Sequence, residues 1–141
     1  MLGELCLALV IYHESRGEPL RGKQAVADVV INRTISEDYP EHICDVIKEK
    51  NQFSFVSKNG WVLIPDDSES WIVATKISQQ AMKKSFFNDK NMLWFHQKDL
   101  SRKWTKSLRK KMVVGNHVFW TKVNNNPNNL IRPKSRPKNL K

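Results

Sequence analysis

Two apolar stripes separated by one short break constrain this chain more than any other feature. Leu2, Leu5, Cys6, Leu9, Val10 and His13 recur at three- and four-residue steps, the spacing that lines one face of an α-helix. Arg16-Gly17-Glu18-Pro19 ends that helix, because glycine can take the left-handed terminating conformation and proline cannot continue the hydrogen-bond ladder. A second helix is expected from about Gly22 to Arg33, with Ala25, Val26, Val29 and Val30 on its core face. Its alanines permit close packing, so the first quarter of the chain is committed to packed helices.

Further along, Tyr39-Pro40-Glu41 predicts a third helix with Pro40 in its first turn and Ile43, Val46 and Ile47 pointing inward. Phe53-Ser54-Phe55-Val56 and Trp61-Val62-Leu63-Ile64 flank Lys58-Asn59-Gly60, a hairpin signal. Asp66 and Glu69 resemble a capping box for a helix carrying Trp71, Ala74, Ile77 or Ser78, Ala81 and Met82. Met92-Leu93-Trp94-Phe95-His96 is an apolar run compatible with strand or helix. Trp104, Leu108 and Met112 are spaced by four and predict a short basic helix, and Val113 to Trp120 reads as a second hairpin. From Asn124 the composition turns to Asn, Pro, Lys and Arg, as in a flexible tail. The expected fold class is α+β: a mainly helical single domain over residues 1–122 with a small antiparallel β element, then a flexible basic tail over 123–141.

A chain of 141 residues buries roughly two thirds of its unfolded surface, enough for a core without a disulfide scaffold. Cys6 and Cys44 sit among apolar neighbours, so buried thiols are the expected state and a single Cys6–Cys44 bridge the alternative. Leu5 to Tyr12 is too short to span a bilayer and lacks the flanks of a signal peptide, so it reads as mature fold and cytoplasmic synthesis is expected. The 24 basic and 14 acidic side chains give a net charge of +10 that is unevenly placed. Residues 1–82 hold 8 basic and 12 acidic groups, residues 83–111 hold 10 and 2, and residues 122–141 hold 6 basic groups and no acid. Such a basic segment suits a polyanion: nucleic acid, membrane surface or anionic wall polymer.

There is no glycine-rich cradle ending in Gly-Lys-Ser/Thr, no His-Glu-x-x-His and no Cys-x-x-Cys, which removes the sequence support for nucleotide hydrolysis and the common zinc chemistries; no metal or cofactor is expected. His13, His42, His96 and His117 lack ligand spacing, although His96 and His117 are candidates to line a shared site. Glu14 stands out. A carboxylate at the end of an apolar helix face is partly desolvated, which disfavours its charged form and raises its pKa, as a general acid near neutral pH requires. The competing reading is a structural ion pair with Arg16 or Arg33.

Several blocks carry a resemblance. Tyr12 to Pro19, Ala25 to Arg33, Tyr39-Pro40 with Ile43 and Val46-Ile47, Asn51-Gln52-Phe53-Ser54, and Gly115-Asn116-His117-Val118-Phe119-Trp120 together look like the SleB-type cell-wall hydrolase family, in that family's order and over roughly residues 5–121. The resemblance implies a peptidoglycan-cleaving enzyme with a lysozyme-like helical core. It places the family's catalytic Glu on Glu14, in the block Glu14-Ser15-Arg16-Gly17-Glu18, and its Gln-Phe block on Gln52-Phe53-Ser54. Two departures are visible: His13 stands where Gly is common, and Trp120 where Tyr is usual.

The bottom-up chemistry is compatible. Ordinary glycosidases pair two carboxylates, but Glu18, Asp28 and Asp45 read as residues of polar helix faces or loops, so no second acid matches Glu14. An N-acetylated sugar can assist with its own 2-acetamido group. The expected reaction is therefore that of a lytic transglycosylase on the bond between N-acetylmuramic acid and N-acetylglucosamine, with a hydrolytic muramidase as the alternative. Tyr12, Arg16, Gln52, Phe53, Ser54, Trp94, His96 and His117 are the expected substrate-binding residues. The expected partners are peptidoglycan strands, with anionic envelope polymers held through the basic tail, and the protein is expected to be a monomer without a transmembrane segment. The expected setting is a phage endolysin, made in the host cytoplasm without a signal peptide and acting on the cell wall. A basic nucleic-acid-binding module is the remaining alternative, from the cations interleaved with Trp104, but no helix-turn-helix or zinc-finger motif accompanies them.

Overall fold

Helix α1 (Leu2–Ser15) is the hub onto which α2 (Leu20–Thr34), α3 (Ile43–Lys48) and α4 (Ser68–Lys83) all pack. The computed structural model describes residues 2–49, 52–57, 62–100 and 103–123. With three helical neighbours, α1 buries more than one stripe: Leu7, Val10 and Ile11 are fully buried, whereas the expected stripe members Leu2 and Leu5 are exposed. The expected face of α2 is buried throughout, with Ala25, Val26, Val29 and Val30 sealed against the core. Burying one such aliphatic side chain contributes roughly 1.5–3 kcal/mol. Gly17, at φ +88°, takes the left-handed conformation that stops α1, and Pro19 precedes the first turn of α2.

Two expectations shift by a few residues. Helix α3 starts at Ile43 rather than near Pro40, because its first hydrogen bonds run from Asp45 and Val46 N–H to the His42 carbonyl. Ile43, Val46 and Ile47 nevertheless point inward. Helix α4 is capped by Asp67, whose carboxylate accepts from Ser70 N–H and Oγ, and not by Asp66, which is drawn away to Tyr12 and Arg16. The α4 residues Ala74, Ile77, Ser78 and Ala81 are buried as the capping frame predicts.

The basic helix expected at Trp104–Met112 does not form. A short 3₁₀ turn (Lys103–Ser107) leads into β2 (Leu108–Val114), which pairs antiparallel with β3 (His117–Lys122); β1 (Met92–Gln97) pairs with the other edge of β3, giving the order β1-β3-β2. A spacing of four is also an even number, so it suits a strand as well as a helix. A register shift between Lys110 and Met112 then turns Met112 to face Phe119 across the ladder. The β2–β3 hairpin turns at Gly115-Asn116 as expected, and the open choice at Met92–His96 resolves as strand. The first hairpin's turn lies outside the described residues, but its arms meet in a Val56–Val62 bridge. The tail from Asn124 also lies outside them.

Two further readings are corrected. Cys6 and Cys44 form a disulfide rather than buried thiols, joining α1 to α3 across 38 residues. Asp28 is not on a polar face: it is fully buried in α2 and accepts from Ser85 Oγ and the Phe86 and Phe87 N–H groups, which fixes the segment leading to β1. The architecture is a lysozyme-like α+β fold with a three-stranded antiparallel sheet against the helices, and α2 packs directly on β1. No described helix is long and apolar enough to cross a membrane.

Candidate functional site

Between the last turn of α1 and the sheet lies an open cleft of about 720 Å³. Glu14 enters it from α1, Arg33 from α2, Gln52, Phe53 and Ser54 from the loop after α3, Trp94, Phe95, His96 and Gln97 from β1, and His117 from the start of β3; Tyr39 and Leu100 complete the wall. Six of the eight expected substrate-binding residues are thus brought together with Glu14.

Tyr12 and Arg16 are not. Tyr12 is buried, with its hydroxyl donating to Asp66 Oδ1 at 2.9 Å and accepting from Arg16 and from the Asp66 and Asp67 N–H groups. Arg16 lies 4.8 Å over the Tyr12 ring and reaches Asp66 Oδ1 at 3.2 Å. Both residues therefore belong to a staple between the end of α1 and the start of α4. Hydrogen bonds from Tyr12, then Arg16, hold the Asp66 carboxyl below its usual range.

Removal of Arg16 to Asp66 bears on Glu14. Arg33 is also committed elsewhere: it is buried, donating from Nε to the Leu93 carbonyl at 2.9 Å and from NH1 to Gln52 Oε1 at 3.2 Å. Its guanidinium lies 5.0 Å over Tyr39, and burial lowers its pKa. Neither expected ion-pair partner reaches Glu14, and no hydrogen bond or ion pair of that carboxylate is present among the described residues. Desolvation acts on it unopposed and raises its pKa from 4.5 to about 7. Glu14 is also the only carboxylate among the described residues of the cleft wall. A half-protonated carboxyl at neutral pH facing a polar groove can donate a proton and later take one back.

His96 and His117 frame the opposite wall. His96 makes a 2.7 Å contact from Nδ1 to the Gln97 carbonyl and stacks on Trp120 with centroids 6.0 Å apart. The His117 ring stands edge-on to Phe95 at 5.2 Å, and burial lowers its pKa against the opposing pull of Glu18. Arg33, Tyr39, Phe95, Gln97 and Leu100 were not foreseen in this role. Arg33 and Tyr39 lie within matched sequence blocks, yet only the fold shows that they face the groove. Glu18, read as a loop residue, is instead almost buried beside His117. Among the described residues no group of His, Cys, Asp and Glu could hold a metal ion.

The chain matches a family model described as Cell Wall Hydrolase over residues 17–120, a span that begins just after Glu14. A spore cortex-lytic enzyme of Bacillus cereus is 31% identical over 116 residues, covering 80% of this chain and 42% of that protein. A spore cortex-lytic enzyme of Oceanobacillus iheyensis is 30% identical, with 80% and 39% covered. The chain thus spans less than half the length of these curated relatives. Among solved structures, the catalytic domain of the Bacillus cereus SleB protein superposes with a TM-score of 0.69 at 29% identity, covering 86% of this chain and 91% of that one. The catalytic domain of the germination-specific lytic transglycosylase SleB from Bacillus anthracis gives 0.66 at 31% identity, with 84% and 93% covered. With the family model covering most of the domain and the fold shared with two SleB catalytic domains, the chain belongs to the SleB-type Cell Wall Hydrolase family.

Proposed function

We propose that this protein, through the unit at residues 1–122, degrades peptidoglycan as a lytic transglycosylase with Glu14 as its single acid and base. The observation that carries the reading is the lone, desolvated Glu14 carboxyl, with a pKa of about 7, in a groove wall that holds no other described carboxylate. Its O–H protonates the oxygen between N-acetylmuramic acid and N-acetylglucosamine as the C1–O bond breaks, and the N-acetylglucosamine part leaves as an alcohol. The 2-acetamido group supports the developing charge at C1 in place of a second carboxylate. The muramyl C6 hydroxyl then attacks C1 and gives its proton to Glu14, closing a 1,6-anhydro ring without consuming water. Gln52, Ser54, His96 and His117 supply hydrogen bonds to the glycan, and Phe53 and Trp94 supply apolar surface for sugar rings.

Glu14→Gln tests the acid: it should lower turnover of purified peptidoglycan at least ~10³-fold with the fold intact, in the range general acid–base groups supply. A variant retaining a tenth of the activity would sink the assignment. Mass spectrometry of the wild-type digest tests the reaction class, since anhydro ends mark a transglycosylase and reducing ends carrying one added water mark a muramidase. The setting we propose is phage lysis, in which the basic groups concentrated in residues 83–111 and 122–141 would hold the enzyme on anionic envelope polymers. Deleting residues 124–141 should weaken adsorption to cells at low salt while sparing soluble glycan fragments, and equal losses on both would count against that role.

A further inference from the structure

Two sequence blocks separated by nearly the whole domain meet in one cluster that the reaction above leaves unexplained. Glu18 follows Gly17 in the turn between α1 and α2, where its N–H donates to the Ser15 carbonyl at 2.9 Å. Its side chain is only 9% exposed, far below what a carboxylate in a surface turn normally shows. Oε1 accepts from Asn116 N–H at 2.8 Å and Oε2 from Asn116 Nδ2 at 3.2 Å, so one carboxylate takes a backbone and a side-chain donor of a residue 98 positions away. Gly115 makes the approach possible: its φ is +55°, and a Cβ there would stand 2.9 Å from Glu18 Oε1 and 2.8 Å from Pro19 Cδ.

Beyond Asn116 the chain places His117, whose Nδ1 lies 3.5 Å from the same Oε1 while its ring lines the cleft. That nitrogen is buried and has no other partner among the described residues. The separation is longer than an ordinary hydrogen bond, but the sign of the contact selects the tautomer. With the proton on Nε2, the lone pair of the buried Nδ1 would face a carboxylate lone pair at 3.5 Å, which is repulsive. With the proton on Nδ1, the same contact is attractive.

We infer that Glu18 is a positioning residue for the cleft: its carboxylate holds the His117 proton on Nδ1, which leaves Nε2 to accept a hydrogen bond from a hydroxyl or amide N–H of an N-acetylated sugar. The identity of that ligand rests on the glycan-cleaving reading; the Glu18–His117 coupling does not. Besides Glu18, the ionisable groups facing His117 are His96 on β1, which disfavours a second positive charge, and Glu14 across the cleft.

The test uses the 141-residue chain with ¹⁵N-labelled histidine, compared as wild type, Glu18→Gln and Glu14→Gln by two-bond ¹H–¹⁵N correlation across a pH titration. Wild type and Glu14→Gln should both show the Nδ1–H tautomer at His117. Glu18→Gln should show mixed tautomers and a lower His117 midpoint, since the carboxylate's favourable pull on the imidazolium is gone. On soluble glycan fragments, Glu18→Gln should raise KM roughly tenfold and leave kcat within about threefold. An Nε2–H tautomer in the wild type overturns the inference even if Glu18→Gln fails to fold. Unchanged ring shifts and KM in a folded Glu18→Gln overturn it as well. If wild type proves inactive on glycan, the proposed function fails while the tautomer measurement still decides the coupling.

Discussion

Replacing Glu14 by Gln should make the protein more stable at alkaline pH and leave its stability nearly unchanged in acid. A carboxyl whose folded pKa lies above its unfolded value binds protons more tightly when folded, so it favours folding at low pH and that advantage is lost as pH rises. The window runs from the usual 4.5 to the folded value of about 7. Each pH unit within it is worth about 1.4 kcal/mol, which sets a ceiling of roughly 3 kcal/mol, and screening in a cleft open to solvent reduces this to about 2 kcal/mol. At pH 8.5 wild type bears the whole cost of an ionised, desolvated carboxylate, and Glu14→Gln bears none. At pH 4 both carry a neutral side chain of the same size. Thermal unfolding of the two proteins at both pH values isolates the effect, because every other titrating group is common to both. A gain of about 2 kcal/mol corresponds to a melting temperature higher by roughly 8 °C at pH 8.5, against little change at pH 4. The same offset at both pH values would refute the desolvation of Glu14, and with it the physical basis for its role as an acid.

The same protonation state sets the reaction's alkaline limb: kcat should fall about tenfold per pH unit above about 7, measured by release of anhydro products, and a rate flat to pH 9 would exclude Glu14 as the proton donor. Reduction of Cys6–Cys44 should destabilise the protein by about 4 kcal/mol, the loop-closure value for a 38-residue separation, read as the shift in urea midpoint with and without dithiothreitol. Tyr12→Phe should cost about 1–2 kcal/mol, because its hydroxyl links Asp66, Asp67 and Arg16, while kcat and KM stay within about twofold; a large rise in KM would return Tyr12 to the sugar-binding surface.

Helices were legible wherever the apolar period was unambiguous and the end carried its own chemistry. In α2 the run Ala25, Val26, Val29 and Val30 and in α4 the run Ala74, Ile77 and Ala81 are buried as their spacing dictates. Boundaries moved where a residue suited to one local role was engaged by tertiary contact in another. Asp66 had the composition of a cap, but Tyr12 and Arg16 hold it, and the cap passed to Asp67. The strand at Leu108–Val114 was misread because Leu108 and Met112 satisfy both periods locally, and only pairing with His117–Lys122 chooses between them. The disulfide was open only as the alternative, since apolar neighbours describe a buried thiol and a buried bridge alike and only the packing of α1 on α3 brings Cys6 to Cys44.

For the cleft, the limit has a different origin. Glu14 could be singled out because desolvation by its own helix face is a local property. Whether it pairs with Arg16 or Arg33 was open, because that depends on where those guanidinium groups find better partners. The fold decides it by giving Arg16 a carboxylate on the far side of Tyr12 and Arg33 a backbone carbonyl of β1. Among the described residues, Glu14 is thus left unpaired through two contacts made elsewhere. Glu18 shows the converse, since a carboxylate in a Gly-Glu-Pro turn reads as solvated until a hairpin from the end of the domain closes over it. The two glutamates at one helix end consequently take opposite parts: no described group satisfies the charge of Glu14, so burial raises its pKa to about 7, while Glu18 has both oxygens occupied by Asn116. Releasing Glu18 needs only the loss of the Gly115 turn, so a Gly115→Ala variant should free Glu18 and disturb His117 while leaving Glu14 desolvated. The alkaline limb near pH 7 should then persist with KM raised, and a limb that moves with KM would show that the two carboxylates are not independent.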